Sequence, residues 1–500
     1  MKKIKIIYTS DIHGHLLSSD YAAGTRGPFG LSRLSTYLKS LTDPYLLLDN
    51  GDILQGSPLV DYARTKQSSN PCSLALNLLG TKYVTLGNHD FNYGWSHLED
   101  YLNALDATLL CANVSRNGLP LGEVFCTAEV DGLTIGLIGL VTAFVPAWEK
   151  PEHIEGMTFA SAAKVASDVV SANRMHVDVM VVLYHGGLEQ DPVTGQPIGR
   201  QTIENEAMAI AAIPGVDVVL SGHQHMPTLV QQAPLILQPA ANGRQWGEVE
   251  LTVQAGNVVT CTGRLMDNTF AVDEAFESHF EALERATQQW LDQPIYEMKE
   301  DLRVQDPLHL RSTAHPLTAF CHSLQRHISS ADISIVSFPN QIPGFHSMVT
   351  VRDVAATFIY PNTFVELAMK GSDVLKALEQ TAGYFCVQDK HLQVSDAFLF
   401  PKVEHYNYDH YDGIEYVIDV TKPVGERITS CLFQGQPITL DQTYSVIVNN
   451  YRANGGGDYP MFQRSMVLKN IDQSMFDLAV DAIQRQWYDA TPQANLTLMY

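Results

Sequence analysis

The sequence predicts an α/β protein of at least two domains, the second of mixed α+β character. Three observations carry this. Continuous apolar, β-rich runs over residues 4–8, 45–48, 83–86, 133–140, 177–184 and 216–220 alternate with helix-like stretches over 72–79, 161–175 and 204–212. Runs without polar alternation are strands covered on both faces, as in α/β folds. After Asn242 the texture changes to shorter alternating segments, 247–253 and 258–264, which read as antiparallel strands closing the first domain. Finally, 500 residues exceed what one hydrophobic core usually supports.

A charge-laced helical stretch over 273–291 leads out of the first domain, and an apolar-periodic stretch over 313–328 reads as an interdomain helix. The expected division is therefore 1–305, a linking helix in 306–330, and 331–500. Beyond Ala331 the chain has no comparable His/Asp clusters. It carries aromatic and Gly-rich loops instead: Ile359-Tyr-Pro-Asn-Thr363, Tyr406-Asn-Tyr-Asp409, Tyr411-Asp-Gly-Ile-Glu-Tyr416 and Asn449-Asn-Tyr-Arg-Ala-Asn-Gly-Gly-Gly457. Such loops suit recognition rather than chemistry.

The net charge of −23, from 55 acidic against 32 basic residues, argues against a nucleic-acid polymer as partner, because phosphate neutralisation needs a Lys/Arg excess. A small anionic substrate would instead be drawn in locally by bound divalent cations. Seven cysteines are scattered singly with no CxxC pair, which fits reduced thiols in a cytoplasmic protein. Lys2, Lys3 and Lys5 are followed only by Ile6, Ile7 and Tyr8 before polar residues begin, too little for the apolar region of a signal peptide. There is no run of about 18 apolar residues, so no membrane span is expected. The expected partner is a small molecule, and the chain a monomer or dimer.

Five polar clusters follow apolar runs: Asp11-Ile-His13-Gly-His15, Asn50-Gly-Asp52, Gly87-Asn88-His89-Asp90, Tyr184-His185-Gly-Gly and Gly222-His223-Gln-His225. Ligand sites in open α/β sheets collect beyond the carboxyl ends of strands, so the five should meet on one edge. Together they supply what two divalent cations about 3.5–4 Å apart need for in-line attack at phosphorus. Asp11 and His13, two apart, leave the same face of an extended segment and can share an ion. Carboxylate with imidazole suits Mn²⁺, Zn²⁺, Fe²⁺ or Co²⁺ rather than Ca²⁺. Asp52, on the bare turn after Gly51, is the expected bridging ligand. Asn88 offers an amide oxygen. His89, next in the chain, points elsewhere and is suited to bind a phosphoryl oxygen or protonate the leaving alkoxide. His185 and His223 each end a β-branched run, and His225 follows two positions later. Each cluster alone has an ordinary explanation as a cap or turn; their joint register does not. His15 reads either as an outer partner of the site or as a solvated loop residue, and Asp90 either as a carboxylate orienting an imidazole or as a helix N-cap.

The order and wording of these clusters resemble the two-domain 5′-nucleotidase family of calcineurin-like metallophosphoesterases. The resemblance covers nearly the whole chain. Asp49-Asn-Gly-Asp-Ile-Leu-Gln-Gly-Ser-Pro58, Gly87-Asn-His-Asp-Phe-Asn-Tyr-Gly94, Tyr360-Pro-Asn-Thr363, Tyr406-Asn-Tyr-Asp409 and Asn449-Asn-Tyr-Arg452 are most similar to its 2′,3′-cyclic-nucleotide 2′-phosphodiesterase/3′-nucleotidase branch. The resemblance implies an N-terminal sandwich of mixed β-sheets flanked by helices, a linker helix and a C-terminal α+β domain. It implies Asp11, His13, Asp52 and His225 as ligands of one metal, Asp52, Asn88, His185 and His223 as ligands of the other, and His89 as the catalytic histidine. In the 5′-nucleotidase branch an Asp three positions beyond that histidine completes a dyad; here the position is Asn92, as in the cyclic phosphodiesterases. Tyr406 and Tyr451 match the aromatics that sandwich the base, with Asn407, Gly456 and Asp458 on the same loops; Tyr406 also reads as a cross-strand aromatic. The family's Arg-bearing loop is absent, since this chain reads Phe338-Pro-Asn-Gln-Ile-Pro-Gly344.

The expected activity is hydrolysis of nucleoside phosphate esters, a 2′,3′-cyclic nucleotide to the 3′-nucleotide and then the nucleoside, in nucleotide catabolism. A 5′-nucleotidase or broad phosphomonoesterase is the alternative. A nucleotide sensor with a vestigial metal site is the alternative of another class, disfavoured because all seven ligand positions are filled.

Overall fold

The apolar runs become the central strands of two sheets. The protein is described here by a computed structural model covering residues 2–66, 69–198, 202–254, 257–360, 362–400, 402–471 and 473–500. Pro361 of the Tyr360–Thr363 motif lies outside the described residues. The chain divides into two units, Met1–Thr287 and Gln288–Tyr500.

In the first unit the strands are β1 (Lys2–Thr9), β2 (Tyr45–Asp49), β3 (Tyr83–Val84), β4 (Thr108–Leu109), β5 (Cys126–Val130), β6 (Leu133–Val141), β7 (Val179–His185), β8 (Val218–Ser221), β9 (Thr228–Val230), β10 (Leu235–Gln238), β11 (Gln245–Gln254) and β12 (Asn257–Asp267). One sheet runs β12-β11-β1-β2-β3-β4 and the other β9-β10-β8-β7-β6-β5. Both are mixed. β1 to β4 are parallel, with β11 antiparallel to β1 and β12 to β11. β6, β7, β8 and β10 are parallel, with antiparallel β5 and β9 at the edges.

The sheets face each other across a core of Ile4, Ile6, Tyr8, Leu46 and Leu48 from the first and Ile135, Leu137, Val181, Leu183, Val218 and Leu220 from the second. The other face of the second sheet, with Met180, Val182, Tyr184 and Val219, packs on the helices α1 (Ala162–Asn173) and α2 (Ala207–Ala211). Each such side chain taken out of water is worth roughly 1.5–3 kcal/mol. Burial on both faces is why these strands lack polar alternation.

Parallel register sets the strand ends side by side: Thr9 lies opposite Asp49, Asp49 opposite Val84, Val141 opposite His185 and Tyr184 opposite Ser221. Local differences from expectation have local causes. The run 204–212 yields only the five-residue α2, because Glu206 accepts from Ser161 Oγ and the Ala162 N–H at the start of α1, and the Glu204 carbonyl accepts from Thr142 and Tyr184 hydroxyls. The stretch 273–291 is two helices, Glu274–Ser278 and Glu281–Leu291.

The second unit centres on a five-stranded mixed sheet in the order Asp409–Asp412, Ile333–Ser337, Thr443–Asn449, Phe364–Lys370, Met466–Ile471. The helix Pro316–Ile328 has Pro at its start and an N-cap at His315, whose Nδ1 accepts the Leu317 N–H. It buries Leu317, Phe320, Cys321 and Leu324 with Val336, Phe364 and Ile447 of that sheet. The opposite sheet face, with Ile335, Leu367 and Val446, packs on Val374 and Leu378 of the helix Gly371–Ala382. Among the described residues no helix is long and apolar enough to cross a membrane.

Candidate active site

The five clusters do meet on one edge of the first unit, and they meet in strained backbone. Asp11, His13, Asp52, His223 and His225 have φ of 56°, 48°, 57°, 75° and 57°. Left-handed residues other than Gly are uncommon and cost about 1–3 kcal/mol each where surrounding structure enforces them. The extended geometry expected to put Asp11 and His13 on one face is thus replaced by two left-handed residues beyond the end of β1. Gly51, at φ +83°, allows a close approach: a Cβ there would sit 2.1 Å from the Gly87 nitrogen.

The ring orientations are fixed from behind. His185 Nδ1 lies 2.7 Å from the Asn50 carbonyl and His13 Nδ1 3.1 Å from the Gln55 carbonyl. Carbonyl oxygens only accept, so each ring donates through Nδ1 and turns Nε2 to the site, the usual arrangement of a metal-bound imidazole. His13 Nε2 then faces His225 Nε2 at 3.0 Å, and His225 Nε2 is 3.3 Å from Asp11 Oδ1. His185 Nε2 is 3.1 Å from Asp52 Oδ2 and 3.8 Å from Asp11 Oδ1.

Among the described residues, two groups of ligand atoms gather within metal-binding range: Asp11, His13 and His225, and Asp11, Asp52 and His185. Asp11 belongs to both. Asp52 Oδ2 also looks both ways, 3.1 Å from His185 Nε2 and 3.9 Å from His13 Nε2, while Oδ1 accepts the His89 N–H at 2.7 Å. His223 Nδ1 lies 2.8 Å from Asn88 Oδ1, its Nε2 3.1 Å from Glu204 Oε1, and its ring stacks on Trp148.

This donor set fits divalent cations. Asp52 Oδ2 and His185 Nε2 are buried and neither has an aligned hydrogen-bond partner. Burial opposes a charge on His185, but the Asp52 and Asp11 carboxylates outweigh it and raise its pKa to about 10. The two carboxylates thus demand a positive charge between them. Burial, then the neighbouring His225, pushes His13 down to about 3, leaving a neutral imidazole ready to ligate.

His89 is half-buried, its ring edge-on to that of His13 at 5.4 Å. Its Nδ1 lies 2.8 Å from Asn92 Oδ1, and Asn92 Nδ2 donates to Glu149 Oε2 at 2.6 Å. Asp90 orients no imidazole: it accepts the N–H groups of Asp52, Ile53, Leu54 and Gly87 at 2.8–3.0 Å and so ties two site loops together. His15 is half-buried. It stacks on Phe29, and burial, then Arg244, lowers its pKa to about 4.

In the second unit, Tyr406 and Tyr451 stand 6.3 Å apart at 76°, edge to face, so parallel walls for a base are not formed in this state. Gly456 lies under the Tyr451 ring, where a Cβ would come within 2.5 Å of it. Asn407 donates to Glu404 and is buried, while Asp458 is exposed. A fully buried Arg452 ties these loops together. It pairs with Asp409 at 3.0 Å and donates to the carbonyls of Gly456 and, at 3.3 Å, Tyr406. Burial opposes the charge on Arg452, but the Asp409 carboxylate outweighs it and holds the guanidinium pKa up.

Sequence reasoning missed Glu149, Glu204 and the Asp409–Arg452 pair. The pair left a signal, since both residues sit inside the quoted Tyr406–Asp409 and Asn449–Arg452 motifs. Glu149 and Glu204 left none.

Residues 4–227 match the calcineurin-like phosphoesterase family and residues 295–464 the 5′-nucleotidase C-terminal domain family. A solved structure from Staphylococcus aureus, named "Putative 5′-Nucleotidase", is 33% identical, superposes with a TM-score of 0.92, and is matched over 100% of both chains. A 2′,3′-cyclic-nucleotide 2′-phosphodiesterase/3′-nucleotidase of Salmonella typhimurium is 27% identical over 91% of this chain and 81% of its own. A 5′-nucleotidase precursor of Thermus thermophilus shares the fold, at 21% identity and TM-score 0.72 over 99% of both chains.

Proposed function

Because the chain belongs to the two-domain 5′-nucleotidase family of calcineurin-like metallophosphoesterases, we propose that it hydrolyses nucleoside phosphate esters, taking 2′,3′-cyclic nucleotides to 3′-nucleotides and these to nucleosides. The observation that carries this is the pair of imidazoles, His13 and His185, each pinned through Nδ1 to a carbonyl with Nε2 turned toward Asp11 and Asp52. Asp11, His13, Asp52 and His225 would hold one cation, and Asp52, Asn88, His185 and His223 the other. Mn²⁺ is the cation we favour. Held there, two divalent cations would supply charge neutralisation for the phosphoryl oxygens and a lowered pKa for the attacking water.

The chain's own residues do the rest. The Asp90 carboxylate keeps the Asp52 and Gly87 loops in register, so that the ligands are preorganised. His89 presents Nε2 to the phosphoryl group and gives its proton to the departing sugar oxygen. Tyr406 and Tyr451 take the base, which requires the Tyr451 ring to turn on Gly456 from its present edge-on position. The seven cysteines, all free, support a reducing, cytoplasmic setting.

A 5′-nucleotidase is the second reading, favoured by the name of the Staphylococcus aureus structure. The test is hydrolysis of 2′,3′-cyclic AMP, 3′-AMP and 5′-AMP side by side by the Mn²⁺-loaded protein. Activity on the first two is expected; activity confined to 5′-AMP would overturn the first reading.

A further inference from the structure

We propose that Glu149 is a positioning residue for His89: it fixes which end of the Asn92 amide faces the imidazole, and thereby which ring nitrogen carries the proton. This rests on the reading of His89 as the residue that protonates the leaving group.

An asparagine side chain has an accepting and a donating end of nearly the same shape, and either can be turned to a histidine. Here the choice is forced from the far side. Asn92 Nδ2 lies 2.6 Å from Glu149 Oε2, and a carboxylate only accepts, so the NH₂ end must face Glu149. The Oδ1 end then faces His89 Nδ1 at 2.8 Å, and Nδ1 must be the donor. The Nδ1 proton stays on the ring throughout, so when His89 is the imidazolium it is the Nε2 proton that passes to the departing oxygen, leaving the neutral Nδ1–H imidazole.

Glu149 is itself locked. It is 8% exposed, and its other oxygen, Oε1, accepts the Lys150 N–H at 2.8 Å and lies 2.7 Å from His153 Nδ1. It follows directly on the short helix Val145–Trp148, and its own N–H bonds the Val145 carbonyl. Both carboxylate oxygens are therefore needed as acceptors, in opposite directions. A glutamine there has one. With its oxygen kept on the Lys150 N–H, its NH₂ would meet the Asn92 NH₂, and the amide would have to turn round and offer N–H to His89 Nδ1. The opposite tautomer of His89 would follow.

An aspartate at position 92 would also accept from His89, but it would stand against Glu149 Oε2, carboxylate to carboxylate. The two substitutions should each be harmful and together benign. In the double variant Glu149→Gln/Asn92→Asp, the carboxylate introduced at position 92 accepts both from His89 Nδ1–H and from the amide NH₂ introduced at position 149.

The experiment compares wild type, E149Q, N92D and the double variant, each Mn²⁺-loaded, on 2′,3′-cyclic AMP and bis(p-nitrophenyl) phosphate. It adds ¹⁵N imidazole spectra of the metal-free proteins with H89A as the assignment control. E149Q and N92D should each lose about 10- to 100-fold in kcat with KM little changed, as misplacement of a catalytic group does, and the double variant should recover most of that loss. The spectra should give the Nδ1–H tautomer of His89 in wild type and the double variant, and the Nε2–H tautomer in E149Q. Losses that simply multiply in the double variant, or an Nδ1–H tautomer that persists in E149Q, would overturn the proposal. If the wild type hydrolyses neither ester, the functional reading fails, while the tautomers still decide whether Glu149 sets His89.

Discussion

The two units build their sites in opposite ways. In the first, five of the seven expected ligand residues sit in left-handed backbone, two carboxylates face each other across a histidine, and the buried Asp52 Oδ2 and His185 Nε2 lie 3.1 Å apart. That arrangement favours positive charge between the two carboxylates, from a protonated His185 or from a cation. In the second, the loops bearing Tyr406 and Tyr451 are closed by an internal ion pair, Asp409–Arg452, with the Gly456 and Tyr406 carbonyls bonded to the same guanidinium. Its charges are settled within the chain. On the proposed reading, the site for chemistry on phosphate is left electrostatically incomplete, whereas the site for the base is tied shut around its aromatics.

Five substitutions test this contrast. The largest effect is expected in the first unit. Asp52→Ala should weaken both metals together, seen as parallel loss of both from the purified protein by elemental mass spectrometry. His89→Ala should keep them and lose on the order of 10²–10⁴ in kcat. Retention of full metal content by Asp52→Ala would break the contrast outright. Next, Arg452→Met strands the Asp409 carboxylate in the core and should cost about 3–5 kcal/mol, read as an early urea transition of the second unit, with the first unit's metal content unchanged.

One contribution to the pH dependence of the second unit comes from His322, 6% exposed, whose Nδ1 lies 2.7 Å from Ser334 Oγ. Burial lowers its pKa from 6.5 to about 4, with Asp412 opposing and Arg326 assisting. Between those values the unfolded chain takes up a proton at His322 that the folded chain refuses, so this group's contribution to stability falls as pH drops from about 6.5 toward 4, by roughly 3 kcal/mol. His322→Gln should flatten that part of the urea-midpoint profile; an unchanged slope would count against it. The smallest effect is expected at the aromatics. Tyr451→Ala should raise KM for 2′,3′-cyclic AMP by an amount equivalent to about 1–3 kcal/mol of stacking, and leave kcat on bis(p-nitrophenyl) phosphate, which has no base, unchanged.

The sequence by itself determined the α/β character, the central strands and the chemistry of the first site. Buried strands must be uniformly apolar, and metal-binding side chains are few in kind, so the runs and the five clusters were legible as they stood. The antiparallel hairpin after Asn242 was legible for the same reason, from its period of two. Tertiary structure alone decided what surrounds those clusters. That Asp90 serves backbone N–H groups, that His15 is stacked on Phe29, that Glu149 stands behind Asn92 and that Arg452 closes the loops over Asp409 all depend on which residues distant in the chain are brought side by side. Hydrogen bonds and ion pairs of that reach have no period along the chain. A carboxylate that caps a turn and one that orients a catalytic amide are written with the same letter, and only packing tells them apart.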